Sequence, residues 1–281
     1  MLPIDGVVAA YNLLLAVVWA ALAPRVGAAP AFAAVHLVAA SFVLVLRRRP
    51  RLSPAVGWLR EYYPLLWVLG FWYELDYLLP LLHPQFFDPA IERLDVALFG
   101  ASWSAAWIAR APWPWLAEPM CALYMLFPLV AVPPLWAGGT GRVGALRDVA
   151  TSLTLCYLAC CLVYLVVPAL GPVQHPPDAL ARGPCWRLMR AYLTLGDSDG
   201  TAFPSYHVAA AVVTARFAWT WWRRAVAVPV TALAAGLAVS TVYTQHHYVL
   251  DAVAGLGLAL LVEGLLAPAL RRRMPAEGRL P

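Results

Sequence analysis

Two histidines and one aspartate have the residue types and the spacing that attack on a phosphate ester requires. Asp251 follows His247 by four residues, and this spacing places two side chains on one face of a helix, about 5–6 Å apart. A carboxylate that accepts the proton of one imidazole nitrogen leaves the other nitrogen free to attack phosphorus. His207, which lies further upstream, is a candidate acid for the departing oxygen and a candidate base for the second half-reaction.

A transferred phosphate also needs hydrogen-bond donors and positive charge. Ser205 stands at the start of a predicted helix, where unpaired backbone N–H groups bind anions. Serine is also a common helix cap, and the two roles are compatible. Arginines of the preceding segment are candidates for the remaining charge, namely Arg182, Arg187 and Arg190.

Three neighbours of these residues are candidate substrate contacts. The side chain of His246 points about 100° away from that of His247 around a helix, so that substrate binding and simple packing are both open. Tyr206 and Tyr248 are typical of aromatic side chains at a membrane interface, with contact to lipid as a second role.

The composition indicates a membrane protein. Of the 281 residues, 62% are hydrophobic and 12% are charged, about half the charged share of a soluble domain. Apolar segments long enough to cross a bilayer alternate with proline and glycine, which predicts an all-α polytopic fold. We expect about eight transmembrane helices, at residues 6–23, 30–46, 62–82, 114–136, 147–169, 205–222, 226–245 and 250–269.

These segments divide the chain into three parts. Residues 1–50 hold two additional N-terminal helices, residues 51–270 form a six-helix catalytic domain, and residues 271–281 form a basic tail. Within the catalytic domain, segment 88–110 is too polar to span the bilayer and is expected to lie along the interface. Segment 170–204 is expected to be a long loop.

The arginines predict the orientation. Eight spans place both termini on one side, and most of the arginines lie on that side, so the positive-inside rule places the termini in the cytoplasm. The histidines and loop 170–204 then face the periplasm or exterior. All 20 basic residues are arginine, which fits a genome rich in G and C and suggests a bacterium. They form no stripe with interleaved aromatics, which argues against nucleic-acid binding.

Two motifs resemble the type 2 phosphatidic acid phosphatase superfamily. Residues 203–207, Phe-Pro-Ser-Tyr-His, resemble its second signature, Pro-Ser-x-His, and residues 240–251, Ser-Thr-x5-His-x3-Asp, resemble its third, Ser-Arg-x5-His-x3-Asp. The resemblance covers the third to eighth spans. It implies a six-helix catalytic bundle acting on membrane lipids without metal or another cofactor, with His247 as nucleophile, Asp251 as its partner and His207 as acid and base.

Shorter matches are similar to the inositol phosphorylceramide synthase branch of that family. They are Arg60-Glu61-Tyr62-Tyr63-Pro64, Asp95-x-x-Leu98-Phe99-Gly100, Pro168-x-x-Gly171-Pro172 and His246-His247-Tyr248-x-x-Asp251. That branch moves a phospho-headgroup from a phospholipid to a lipid alcohol. The resemblance therefore slightly favours a lipid or sugar alcohol as acceptor, while water as acceptor would make the chain a phosphatase.

The chain also departs from the family pattern. Thr241 stands where the third signature has arginine, while Ser240, the first residue of that signature, is a candidate phosphate ligand or an ordinary packing residue. The first signature, Lys-x6-Arg-Pro, has no lysine to occupy it. His175-x6-Arg182 keeps the spacing, which predicts these two as phosphate ligands, and otherwise Arg187 or Arg190 must balance the phosphate.

Two other classes of protein remain as alternatives. A haem- or metal-binding membrane protein would use His207 with His246 or His247 as ligands. A lipid transporter would use charges inside the membrane, such as Arg216, which lies nine residues past His207. Arg216 either pairs with Glu263 or snorkels to the interface, and the sequence alone favours snorkelling.

Overall fold

The computed structural model describes residues 3–48, 54–172, 183–193 and 198–272, and within these ranges it contains helices and no strand. The predicted phosphate ligands His175 and Arg182 lie outside the described residues. The α-helices are α1 Pro3–Leu22, α2 Ala29–Arg48, α3 Pro54–Leu82, α4 Asp88–Phe99, α5 Trp103–Arg110, α6 Pro114–Met125, α7 Val132–Gly139, α8 Val143–Tyr164, α9 Pro184–Leu193, α10 Tyr206–Trp221, α11 Arg224–Tyr243, α12 Val249–Leu261 and α13 Ala267–Arg271. A 3-10 turn, Phe127–Ala131, joins α6 to α7, and a π-helical turn, Val262–Leu266, joins α12 to α13.

Six helical segments of the described chain are long and apolar enough to cross a membrane. They are Ile4–Leu22, Leu59–Leu82, Pro114–Gly139, Val143–Tyr164, Arg224–Tyr243 and Val249–Arg271. The other two predicted spans correspond to α2, with its shorter apolar stretch Ala29–Val45, and to α10, which has 16 residues. The all-α membrane fold is confirmed, and the number of eight spans stays a prediction.

The central helix of the bundle is α8. Its side chains are buried almost all round, including Cys156, Tyr157, Cys160 and Cys161, as expected for a helix that is apolar on every face. Helices α3, α7 and α10 pack against it. Because α10 carries His207 near its first residue, this packing fixes the start of α10 within the bundle.

Both segments predicted to lie between spans contain helices. Segment 88–110 forms α4 and α5, separated at Gly100, whose φ of 80° is favourable for glycine. Segment 170–204, predicted as a loop, contains α9. The buried residues Trp186, Met189 and Leu193 follow helical spacing, and they pack α9 against α6.

Arg216 is part of an ion-pair network inside the bundle, so the interpretation that it snorkels is wrong. Its Nε lies 3.2 Å from Oε2 of Glu263, and its Nη1–H donates to Oδ2 of Asp148 at 2.7 Å. Arg271 contacts both Asp148 and Glu263, and its Nη2 lies 3.3 Å from Oε2 of Glu263. Two cations therefore balance two anions, which lowers the cost of charge in an apolar environment.

The two N-terminal helices are joined to α3 by buried polar contacts. Nε2 of His36 lies 2.6 Å from Oε1 of Glu74, and Nδ1 of His36 lies 3.0 Å from Oδ1 of Asn12. The indole N–H of Trp19 donates to the same Glu74 oxygen. These contacts satisfy polar groups that would be costly if left unpaired among apolar side chains.

Candidate active site

The start of α10 lies directly against the start of α12. The Ser205 N–H donates to the backbone oxygen of Asp251 at 3.0 Å, while the Ser205 hydroxyl caps α10 by accepting from the Val208 N–H at 3.3 Å. One turn along α12, a Cβ on Gly255 would lie 2.3 Å from the backbone oxygen of Ser205. This close approach of two backbones therefore requires glycine at position 255.

The approach brings the three predicted catalytic side chains together. Nε2 of His247 lies 3.4 Å from Nδ1 of His207, and Nδ1 of His247 lies 3.4 Å from Oδ2 of Asp251. His247 is 4% exposed and Asp251 is fully buried. The contacts are long for hydrogen bonds, as is common for catalytic groups before substrate binds. Each nitrogen of His247 thus faces a different partner.

The turn between α11 and α12 fixes the direction of both adjacent histidines. The backbone oxygen of Thr241 accepts from the N–H of His246 at 3.0 Å and from that of His247 at 3.1 Å. Gln245 has a φ of 61°, in the left-handed region that a tight turn can require. Asp251 also accepts from the Tyr248 N–H at 2.8 Å, so the carboxylate is held by the helix that carries it.

Asp95 was missed by the sequence analysis as a site residue, although it lies in one of the short matches. Its Oδ1 accepts from the Leu250 N–H at 2.7 Å, so α4 supplies a cap for the first turn of α12. Asp95 is fully buried, and this burial raises the pKa of its carboxyl above the ordinary value. Its position shows that α4 supports the helix start from which Asp251 projects.

Two aromatic residues of the fourth predicted span contact His207, and one of them also contacts His246. The Tyr124 hydroxyl lies 3.5 Å from Nε2 of His207, and its ring stacks on His207 and on His246, with centroids 5.2 and 4.2 Å away. The Phe127 ring centroid lies 4.2 Å from that of His207. An aromatic residue inside an apolar span gives no signal of such a role, so sequence reasoning did not select either residue.

Phe127 also connects the site to an apolar cavity of about 630 Å³ between α7, α10 and α11. Its lining includes Ala211, one turn past His207, and continues to Trp222 at the far end of α10. The cavity is therefore lined by apolar side chains along the length of α10. Its volume is within the range of small-molecule sites.

The predicted phosphate ligands have different outcomes. Ser205 lies at the site, beside Asp251 in the first turn of α12. The Ser240 hydroxyl instead donates to the Leu237 oxygen of its own helix at 2.7 Å and is fully buried, so the structure favours the packing alternative. The Thr241 hydroxyl is likewise used within its helix, by the Ala238 oxygen at 2.8 Å. His175 and Arg182 cannot be placed, since they lie outside the described residues.

The predicted substrate contacts also differ in position. Tyr206 and Tyr248 are buried, at 8% and 4% exposure, and Tyr206 packs on Tyr157. Both rings therefore lie inside the protein, and their position relative to the membrane interface stays a prediction. Arg187 and Arg190 lie on the exposed face of α9.

His246 is the predicted contact with the most distinctive surroundings. Its Nδ1 lies 2.8 Å from the Thr244 hydroxyl. Burial lowers the pKa of His246 to about 3, with His247 and Arg190 adding to the effect. Among the described residues, no group of three or more histidine, cysteine and acidic side chains could hold a metal ion.

Comparison with known proteins identifies the family of the chain. A family model described as the PAP2 superfamily matches residues 90–265, which include His207, His247 and Asp251. No curated protein and no solved structure gives a significant match. The match covers most of the chain and extends over the helices whose starts form the site, so the chain belongs to the PAP2 superfamily, and this membership supports a phosphatase-type function on lipid phosphates.

Proposed function

We propose that the chain transfers phosphate, or a phospho-headgroup, from a membrane lipid to an alcohol or to water through a phosphohistidine on His247. The observation that carries this proposal is the placement of His207 at 3.4 Å from one nitrogen of His247 while Asp251 lies at 3.4 Å from the other. With the Nδ1 proton of His247 directed at the carboxylate, the Nε2 lone pair is free to attack phosphorus.

In the first half-reaction, Nε2 of His247 forms a bond to phosphorus and the bond to the leaving oxygen breaks. Protonated His207 gives its Nδ1 proton to that oxygen. Its Nε2–H donates to the Tyr124 hydroxyl, 3.5 Å away, which holds Nδ1 toward the substrate. Asp251 stabilises the positive charge that develops on His247. In the second half-reaction, neutral His207 removes a proton from the incoming alcohol or water.

A lipid substrate is supported by the apolar cavity beside the site. Phe127 contacts His207 and lines this cavity of about 630 Å³. An acyl or isoprenoid chain lying along α10 would place its phosphate near the start of that helix. For the missing cation of the first signature, Arg187 and Arg190 on α9 are the candidates among the described residues.

Transfer in the manner of the inositol phosphorylceramide synthase branch is the finer form of the proposal. We further propose that the two N-terminal helices are an addition to a six-helix catalytic domain, that both termini are cytoplasmic and that the site faces the periplasm or exterior of a bacterial cell. The side chains proposed for the chemistry are two imidazoles and a carboxylate, and no step requires a metal ion.

The test uses purified full-length protein in detergent with phosphate-labelled phosphatidic acid, phosphatidylinositol or an isoprenoid pyrophosphate, with and without diacylglycerol or ceramide. We expect labelled phosphate or a new labelled phospholipid, resistant to chelators. His247→Ala should remove this activity, and His83→Ala, at an imidazole that contacts the Leu165 oxygen instead, should retain it. Equal activity of His247→Ala and the unaltered protein would contradict the proposal.

A further inference from the structure

The tautomer of His246 is fixed by a chain of hydrogen bonds. The Thr244 hydroxyl donates its one proton to the Ser240 backbone oxygen at 2.7 Å. Its oxygen must therefore accept from Nδ1–H of His246, which lies 2.8 Å away. A neutral imidazole with its proton on Nδ1 has a lone pair on Nε2. Nε2 of His246 is thus a hydrogen-bond acceptor.

This acceptor is buried without a partner. Among the described residues, no donor lies within hydrogen-bond distance of Nε2 of His246. The imidazole remains neutral at physiological pH, since its pKa is lowered to about 3 by burial, His247 and Arg190. A buried acceptor with no donor is destabilising, so the site is suited to a ligand that supplies an N–H or O–H group.

The position of His246 is held from several sides. Its N–H donates to the Thr241 oxygen at 3.0 Å, and its ring stacks on Tyr124. At Gly171 the backbone comes so close that a Cβ would lie 2.7 Å from the His246 oxygen. A fixed acceptor of this kind can discriminate between ligands, because the missing donor of a wrong ligand is not replaced by movement of the side chain.

We propose that Nε2 of His246 accepts a hydrogen bond from a second hydroxyl of the acceptor alcohol, so that the enzyme prefers acceptors with neighbouring hydroxyls. The lone pair repels ionised phosphate oxygens, so Nε2 of His246 is better suited to a hydroxyl donor. His207 and His246 both stack on the Tyr124 ring, so an acceptor with two neighbouring hydroxyls, such as a 1,2-diol, is the alcohol that the proposal selects. This inference rests on the proposed phosphohistidine route.

His246 would recognise the acceptor alcohol in the second half-reaction. The attacking hydroxyl oxygen of the diol forms a bond to phosphorus, and the bond between phosphorus and Nε2 of His247 breaks, returning its electron pair to the nitrogen. The proton of the attacking hydroxyl goes to Nδ1 of His207. The neighbouring hydroxyl keeps its proton and donates it in a hydrogen bond to His246. His246 is therefore a specificity-determining residue and takes no part in proton transfer.

The test compares propane-1,2-diol with 1-propanol as acceptors for labelled phosphatidic acid, measuring the ratio of alkyl phosphate to free phosphate. We expect the unaltered protein to give a ratio about tenfold higher for the diol, as for a site with a hydrogen-bond partner for one substrate hydroxyl. His246→Phe keeps the stacked ring but lacks the acceptor and should lose this preference, while His246→Gln should restore part of it.

Two further variants separate recognition from folding. Thr244→Val retains His246 but removes the group that fixes its proton on Nδ1, so the preference for the diol should fall. His83→Phe makes the same kind of change at an imidazole that contacts the Leu165 oxygen and should keep the preference. A preference that persists in His246→Phe, or equal use of both alcohols by the unaltered protein, would overturn the inference. Absence of every labelled product from the unaltered protein would instead overturn the proposed function on which it rests.

Discussion

Nδ1 of His207 lies 3.4 Å from Nε2 of His247, although His207 lies in α10 and His247 lies in the turn before α12. The contact depends on the backbones behind them, since the Ser205 N–H donates to the Asp251 oxygen at 3.0 Å. Gly255 permits that approach. The geometry of the histidine pair is therefore set by how closely the first turns of α10 and α12 pack.

Gly255→Ala should disrupt this packing. The added Cβ would lie 2.3 Å from the Ser205 oxygen, and the backbone must shift, which moves His207 relative to His247. We expect turnover to fall about a hundredfold, as for an ångström-scale displacement of reacting groups. Gly257→Ala in the same helix meets nothing within 4 Å and should keep full activity. Steady-state assays of the two variants measure this difference. Equal turnover of Gly255→Ala and Gly257→Ala would contradict the requirement for glycine at position 255.

Tyr124→Phe tests the position of the acid and base. The change removes the hydroxyl that lies 3.5 Å from Nε2 of His207 and keeps the ring that stacks on it. We expect kcat to fall about tenfold, the effect of one lost hydrogen bond, with little change in KM for the lipid. Tyr73→Phe, at an exposed tyrosine, is the matched control. An unchanged kcat in Tyr124→Phe would remove this residue from the mechanism.

Asp148→Leu tests the ion-pair network of Arg216, in which Asp148 is a partner that the sequence did not indicate. Asp148 is almost fully buried and contacts Arg216 and Arg271, so its removal leaves an excess of positive charge inside the bundle. We expect a loss of roughly 3–5 kcal/mol in the free energy of unfolding. Glu92→Gln, at an exposed carboxylate, should be nearly neutral. Chemical unfolding in detergent measures both variants, and similar midpoints would contradict the assignment.

His246 should make stability depend on pH. In the unfolded chain its imidazole binds a proton near the ordinary pKa of 6.5, whereas in the folded protein the pKa is about 3. The unfolded state therefore binds more protons between these values, and stability falls as pH falls from about 6.5 toward 3.

His246→Phe lacks this contribution to the pH dependence. The decrease in Tm between neutral pH and pH about 4.5 should accordingly be smaller in the variant than in the unaltered protein. Thermal unfolding in one detergent at both pH values provides the comparison. A decrease of equal size in the two proteins would show that the His246 imidazole titrates normally.

Local spacing was enough to select the candidate catalytic residues. His247 and Asp251 are four residues apart, and Ser205 precedes His207 by two, so each pair can be recognised without knowledge of the fold. The expectation that His247 and Asp251 share one helix is wrong, because His247 lies in the turn before α12 and Asp251 lies in the first turn of α12. The apolar segments likewise predicted the all-α membrane architecture, because hydrocarbon thickness sets the length of a span.

Contacts between distant segments could not be predicted in this way. Tyr124 and Asp95 reach the site from α6 and α4, and neither residue type is unusual in its own segment. Arg216 was misassigned because its partners Asp148 and Glu263 lie in other helices, and sequence alone does not tell which faces of two helices meet. The helix α9 was missed because its short amphipathic pattern lies in a segment that is polar on average.

The most direct test of the account is to trap the covalent intermediate. Full-length protein is mixed rapidly with phosphate-labelled lipid, quenched in alkaline denaturant and digested, because a phosphohistidine is stable to alkali and labile to acid. The account predicts acid-labile label on the peptide that contains His247, reduced by Asp251→Asn and absent from His247→Ala, with label accumulating in His207→Ala if a good leaving group is used. Full phosphate release by a protein that never carries label at His247, or label found on another residue, would contradict it.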